Sequence, residues 1–318
     1  MTDLEQHLLA IIQDAFPLEK RPYQVLADQL GSDEQSVFAA VEGLRKSGII
    51  RRIGGVYDSK ALGFISRLCA GKVPTVVTGA ADDNALEKFA AAVNEIPAIT
   101  HNYVRSHEYN VWFTVIAQSE EEIQKIVDDV CAKTELHDVH VLSATKKYKI
   151  NTVMGGVVRR ALQPCKIPAR ILSDSDRTRI HIACDDIPHS LTPFKDWGVS
   201  CEELREDLAL KRMRRFGAIL RHQEAGFAFN AMVCLAELDK SPNNSAGAIL
   251  AQKPFISHCY DRPAFEGFPY TLYAMMHAQS ADELDRNIKE AAESIGNPDY
   301  VVLHSVRELK KTSYRFFA

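Results

Sequence analysis

The sequence predicts an α+β chain in which one module is used twice in tandem, each copy a winged helix-turn-helix followed by a βαββαβ unit. Three observations carry this reading. Arg51-Arg52-Ile53-Gly54-Gly55, with Gly63-Phe64 beyond it, recurs as Arg214-Arg215-Phe216-Gly217-Ala218 with Gly226-Phe227. His101-x-Tyr103-x-Arg105 recurs as His258-x-Tyr260-x-Arg262. Ala117-Gln118-Ser119 and Val141-Leu142 recur as Ala278-Gln279-Ser280 and Val302-Leu303. The matches keep their order while the offset drifts only from 163 to 157 to 161, as small loop insertions and deletions would produce. Two tandem copies imply a pseudo-symmetric pair within one chain, with a cleft between or within the halves. The copies differ at polar positions, so the halves are no longer equivalent.

Each element follows from local pattern. Leu4, Leu8, Leu9, Ile11 and Ile12 line one helical stripe over residues 4–14. After Pro17 a short second helix covers 23–30, with Val25, Leu26 and Leu30 inward. Gly31-Ser32 makes the turn, and Ser32 is a suitable N-cap for a third helix bearing Val37, Val41 and Leu44. This is the helix-turn-helix order. Residues 48–58, with Gly54-Gly55 between β-prone residues, read as a two-stranded wing. The remainder of the half gives a strand at 65–73, a helix at 82–93, strands at 97–104 and 109–117, a helix at 119–133 and a strand at 139–145. That is a ferredoxin-like module with four antiparallel strands and both helices on one face. In the second half, a winged helix at about 169–222 precedes strands near 228–237, 255–262, 270–278 and 300–307. Gly155-Gly156, Pro164 and Pro168 mark the stretch between the halves as a linker. The expected domains are therefore 1–60, 61–153, a linker at 154–168, 169–222 and 223–318.

Composition narrows the function classes. A net charge of −4 and a pI of about 6.3 give no general argument for nucleic acid or a membrane surface. No apolar run approaches a membrane span, and MTDLEQHLL has neither a basic nor an apolar leader region. Seven cysteines (69, 131, 165, 184, 201, 234 and 259), odd in number and without a CxxC, favour reduced thiols in the cytoplasm. The third helix of each half starts acidic, Asp33-Glu34-Gln35 and Cys201-Glu202-Glu203. Phosphates would be repelled there, so specific DNA binding is not expected. No phosphate loop, GxSxG elbow or cysteine–base pair is present.

The densest polar cluster is His101-Asn102-Tyr103-Val104-Arg105-Ser106-His107-Glu108-Tyr109-Asn110-Val111-Trp112. Strand alternation puts His101, Tyr103 and Arg105 on one face, and likewise His258, Tyr260 and Arg262. A lone histidine is more often structural, but a same-face triplet in both copies is harder to dismiss. Aromatic rings beside arginines suit a large, flat, anionic ligand, with rings on its faces and guanidiniums on its carboxylates. Arg51, Arg52, Arg214, Arg215, Lys146, Lys149, Arg307 and Lys310 are further candidate cations. The insertion Pro263-Ala264-Phe265-Glu266-Gly267 lengthens the loop beside Arg262, where it would cover or occlude a pocket. One productive site per chain is expected.

The two-part plan resembles the Lrp/AsnC regulators. HNYVRSHEYNVWFTV and SHCYDRPAFEGFPYTLYAMMH resemble the two subunit types of siroheme decarboxylase, AhbA/NirD and AhbB/NirL, joined here as in NirDL-type fusions. The resemblance spans essentially the whole chain. It implies loss of CO2 from both siroheme acetates to give 12,18-didecarboxysiroheme for heme d1 or an alternative heme pathway. It also implies no cofactor beyond the iron of siroheme itself. His101 and His107 are then the expected proton donors, with His258 as their second-half counterpart. His258 or His101 is instead a candidate iron ligand. Arg105 and Arg262 would anchor carboxylates, with Tyr103, Tyr260 and Trp112 beside them. The partners implied are siroheme and a pseudo-heterodimer within the chain, open to further dimerisation. The rival readings are an Lrp-type or haem-responsive regulator and a non-catalytic tetrapyrrole-binding protein.

Overall fold

The computed structural model describes residues 1–74, 83–150, 172–195, 197–221, 229–236 and 246–318. The expected linker at 154–168, the Gly226-Phe227 repeat and Cys165 lie outside these residues. The six other cysteines are free. Among the described residues no helix is long and apolar enough to cross a membrane.

Helix α1 (Asp3–Asp14) starts at Thr2, whose hydroxyl accepts from the Glu5 N–H while the Glu5 carboxylate accepts from the Thr2 N–H. Pro22 opens α2 (Pro22–Leu30), and left-handed Gly31 (φ 62°) closes it. Asp33, not Ser32, caps α3 (Glu34–Lys46) by accepting from the Ser36 N–H, and buried Glu34 pairs with Arg21. The acidic start of the would-be recognition helix is thus used within the fold.

The expected wing is not a hairpin. Residues Ile50–Tyr57 form one continuous strand, β1, paired antiparallel along its length with its counterpart β7 (Met213–Leu220) from the other half. The glycines serve close approach rather than a turn. A Cβ on Gly54 would stand 2.3 Å from the Asp185 carbonyl oxygen, and one on Gly217 would stand 2.5 Å from that of Ile12. The second copy also departs from the helix-turn-helix expected at 169–222. Helices α6 (Asp174–Ala183) and α7 (Cys201–Ala209) are present, but the described residues between them form no helix. Pro188 and Pro193 interrupt that stretch. Phe194 and Trp197 instead pack on Phe216, each with ring centroids 5.8 Å away.

Both helical units share one core, from Leu8 and Leu26 to Ile180 and Leu204. At its edge lies a buried ionic cluster. Fully buried Asp207 pairs with Arg179 (3.1 Å) and Arg212 (2.8 Å), and accepts from the hydroxyl of Tyr57 on β1 (2.9 Å).

The modules follow the expected order. The first runs β2 (Ile65–Gly71), α4 (Asp83–Asn94), β3 (Ile99–Arg105), β4 (Val111–Ala117), α5 (Glu120–Thr134) and β5 (Val139–Leu142), then an additional strand β6 (Lys146–Ile150). The second runs β8 (Phe229–Leu235), α8 (Ala246–Leu250), β9 (Ile256–Asp261), β10 (Leu272–Ala278), α9 (Ala281–Ser294) and β11 (Tyr300–Lys311). They join in one nine-stranded sheet, β5-β2-β4-β3-β11-β8-β10-β9-β6. The join is a reciprocal exchange. Tyr300–His304 pairs with β8 of its own half, whereas Ser305–Lys311 crosses to β3 of the first half. Correspondingly, β6 leaves the first half to pair with β9 of the second.

The aromatic insertion after Arg262 crosses between halves too. Phe268, fully buried, packs against Trp112 and Tyr273, Phe265 stacks on His140 at 4.1 Å, and the Tyr109 hydroxyl donates to the Glu266 carbonyl at 3.2 Å. The loop therefore seals the interface and does not line the cavity described next.

Candidate functional site

One cavity of about 520 Å³ lies where β1 and β7 approach the large sheet. Its walls come from both halves. His101, Tyr103 and Arg105 enter from β3, and His258, Tyr260 and Arg262 enter from β9. The alternation that placed each triplet on one face also places both triplets in one space.

The two triplets repeat each other closely. Thr100 Oγ1 is 2.9 Å from His101 Nδ1, and Ser257 Oγ is 2.9 Å from His258 Nδ1. The His101 and Tyr103 ring centroids are 6.4 Å apart, those of His258 and Tyr260 6.2 Å apart. The Arg105 guanidinium lies 5.3 Å from the Tyr103 ring centre, and that of Arg262 5.2 Å from Tyr260. Arg105 donates to the Leu303 carbonyl (3.0 Å), and Arg262 to its counterpart Leu142. Each arginine therefore ties its own module to the opposite one, and each leaves a buried Nε without a partner.

Around this frame the wall is strongly cationic. Among the described residues it carries nine Arg and Lys side chains against two carboxylates, Asp58 and Glu308, although the chain as a whole is acidic. Arg51 donates to the Lys311 carbonyl (3.0 Å) and the Ser313 hydroxyl (2.7 Å), and Arg52 donates to the same hydroxyl (3.2 Å). Arg214 donates to the Tyr57 carbonyl (3.2 Å), and Arg215 to that of Ala218 (3.1 Å). Burial works against these charges and pushes Arg52 and Arg105 down to about 10. An anionic ligand relieves that cost.

His258 feels the same field. Burial, then Arg214 and Lys149, lower it from 6.5 to about 4, so it is neutral at physiological pH. The stability consequence has a definite sign. Between about 4 and 6.5 the unfolded chain binds a proton at this ring and the folded chain does not, so acidification through that window destabilises the fold. The contribution is about 3 kcal/mol at most. Urea titrations of wild type and His258→Gln at neutral pH and near pH 4.5 read it as the extra acid sensitivity of wild type. Identical pH dependence would exclude it.

Not every expected residue reaches the cavity. His107 lies in the β3–β4 turn, where its Nδ1 accepts from the Tyr109 N–H (3.0 Å) and its ring meets Phe268 edge-on at 5.3 Å. It is absent from the cavity wall. Trp112 does form wall, but its indole N–H is committed to the Tyr109 carbonyl (2.7 Å). Of the further cations, Arg307 lines the cavity. Lys146 lies over Tyr148, Lys149 donates to the Lys253 carbonyl and Lys310 to those of Asn94 and Ile96, and all three lie outside. Sequence reasoning missed Lys147, His277, Glu308 and Lys311. The first, third and fourth sit on strand segments that cross between halves. His277 has no histidine at the matching position of the first copy, Ile116.

The AsnC-like ligand binding domain matches residues 61–149 and 224–310, and the siroheme decarboxylase NirDL-like HTH domain matches 5–51. A siroheme decarboxylase of Hydrogenobacter thermophilus is 33% identical, over 98% of this chain and 94% of that one. The chain belongs to the siroheme decarboxylase family. Within the family, the alpha subunit of the Desulfovibrio desulfuricans enzyme is 45% identical over 47% of this chain and 82% of its own length, so one half here corresponds to a separate subunit there. The crystal structure of siroheme decarboxylase NirDL in complex with an iron-uroporphyrin III analogue superposes with a TM-score of 0.70. It is 28% identical and covers 99% of this chain and 95% of that one.

Proposed function

We propose that this chain decarboxylates siroheme, converting the acetate side chains at C12 and C18 to methyls, with the macrocycle bound in the shared cavity. The observation that carries this is the meeting of both His-Tyr-Arg triplets in one cationic space formed by both halves. Its volume falls in the range of cofactor-sized sites, roughly 300–1,000 Å³. The AsnC-like architecture alone would suit a regulator equally well.

The chemistry suits the wall. Each acetate consumes one proton overall: the C–C bond to the carboxylate breaks, its electron pair passes into the protonated macrocycle, CO2 leaves, the exocyclic carbon takes up a proton to become methyl, and the macrocycle releases the proton it had gained. Arginines hold the carboxylates that stay and orient the one that leaves. The aromatic rings of the wall offer faces to the macrocycle. His101 and His258 supply protons. His258 is a poor donor while burial, then Arg214 and Lys149, hold it neutral; a substrate carboxylate beside the ring would work against all three and favour its protonated form. Protonation is thus tied to occupancy. No role for an added cofactor is part of this reading.

Anaerobic incubation of the pure protein with siroheme, followed by mass analysis, tests it. Two successive losses of CO2 are expected, without pyridoxal phosphate, thiamine or added metal. Unchanged siroheme mass at full binding would leave a carrier or sensor.

A further inference from the structure

The cavity wall repeats across the pseudo-dyad, but one pair of equivalent positions carries opposite groups. On the crossing strand β6, Lys147 stands opposite Tyr260; on the crossing part of β11, Glu308 stands opposite Tyr103. Both line the cavity. We propose that this pair fixes which way round an unsymmetrical polycarboxylate macrocycle lies, Lys147 receiving a carboxylate of the ligand and Glu308 turning one away. The proposal deepens the siroheme reading and rests on it.

The hydrogen-bond inventory supports this beyond the change of charge. Glu308 stands beside Tyr103, and its carboxylate adds to burial in holding the phenol's proton on, so an acceptor already faces that hydroxyl. Lys311 Nζ, 3.9 Å from the Glu308 carboxylate, pairs with it. At the other end no described residue accepts from the Tyr260 hydroxyl, and Lys147 adds three ammonium donors beside it. The nearby carboxylate of Asp58 is held by the backbone N–H groups of Lys60 and Ala61 (3.0 and 3.2 Å). One end therefore offers donors and the other presents an acceptor.

A cavity with true two-fold symmetry would admit the macrocycle equally in two orientations. Fixed proton donors would then meet either acetate first. With Lys147 and Glu308 in place, the two orientations set different carboxylates of the macrocycle's edge, acetate or propionate, on the ammonium and against the carboxylate. A preference on the order of ten- to a hundredfold follows, and with it a set order for the two losses.

The test uses the full chain with Lys147→Met, Glu308→Gln and the exchanged pair Lys147→Glu with Glu308→Lys. Neither side chain is buried, so the core is untouched. Intermediates that have lost one CO2 are isolated and the missing acetate located by NMR. Wild type should give one regioisomer, the single variants a mixture and the exchanged pair the opposite isomer. The same isomer in the same excess throughout overturns the proposal. Binding, followed by siroheme absorbance, separates this failure from failure of the decarboxylase reading. If wild type binds siroheme without releasing CO2, the decarboxylase reading falls. Binding then decides orientation: Lys147→Met should weaken it about tenfold and Glu308→Gln should tighten it. Equal effects would exclude the proposed polarity.

Discussion

Replacing His258 by alanine lowers siroheme turnover by about 10²- to 10⁴-fold, the usual worth of a positioned proton donor, and His101→Ala does the same. Siroheme binding should change little, since the wall keeps its nine Arg and Lys side chains. Both rings face the cavity, and each has Nδ1 2.9 Å from a neighbouring hydroxyl, which fixes ring orientation. His107→Ala serves as the comparison. Its ring lies against Phe268 outside the cavity, so the substitution should leave chemistry largely intact and act only on packing. Anaerobic single-turnover rates by mass analysis separate the three. Wild-type rates in both His101→Ala and His258→Ala would remove the proposed donors; a selective loss in His107→Ala would move the chemistry to the β3–β4 turn.

The largest stability effect is expected at Asp207. Its carboxylate is fully buried between Arg179 and Arg212 and accepts from Tyr57. Asp207→Ala would leave the two buried guanidiniums with Asp176 as their remaining buried carboxylate partner, 2.7 Å from Arg179 and 3.7 Å from Arg212, at a cost of about 3 kcal/mol. Asp207→Asn keeps one acceptor oxygen and should cost less. Because Tyr57 lies on β1 and lines the cavity, the damage reaches the site, and siroheme affinity should fall with stability. Urea denaturation of wild type and both variants checks the order. A loss below about 1 kcal/mol in Asp207→Ala would mean that solvent reaches the cluster.

Much of this was legible in the sequence where pattern and local geometry coincide. The duplication, the helical stripes of α1 and α3 and both His-Tyr-Arg faces needed only periodicity. What escaped depends on pairing at long range. Gly54-Gly55 looks like a turn in isolation, and only the carbonyls of Asp185 and Ala183 reveal that it is a close approach. Lys147 and Glu308 lie on segments that pair with the opposite half, so no pattern within one copy shows what they face. The insertion after Arg262 is visible in the sequence as a difference between copies, but its aromatic side chains direct it to Tyr109 and His140 rather than to the ligand space. His107 sits two residues beyond Arg105, but the strand ends at Arg105, and past that point alternation no longer governs direction.

The crossing of β11 also bears on how the chain acquires its fold. The outer edge of β3 stays open until Ser305–Lys311 is available, some two hundred residues later in the chain. During synthesis the first module is therefore left with an uncovered strand edge, the kind of surface that recruits other chains. A contact spanning that separation also implies slow closure, because the loop entropy is spent before the pairing forms. Joining both modules in one polypeptide keeps the missing strand tethered, so completion becomes an intramolecular event that does not depend on protein concentration.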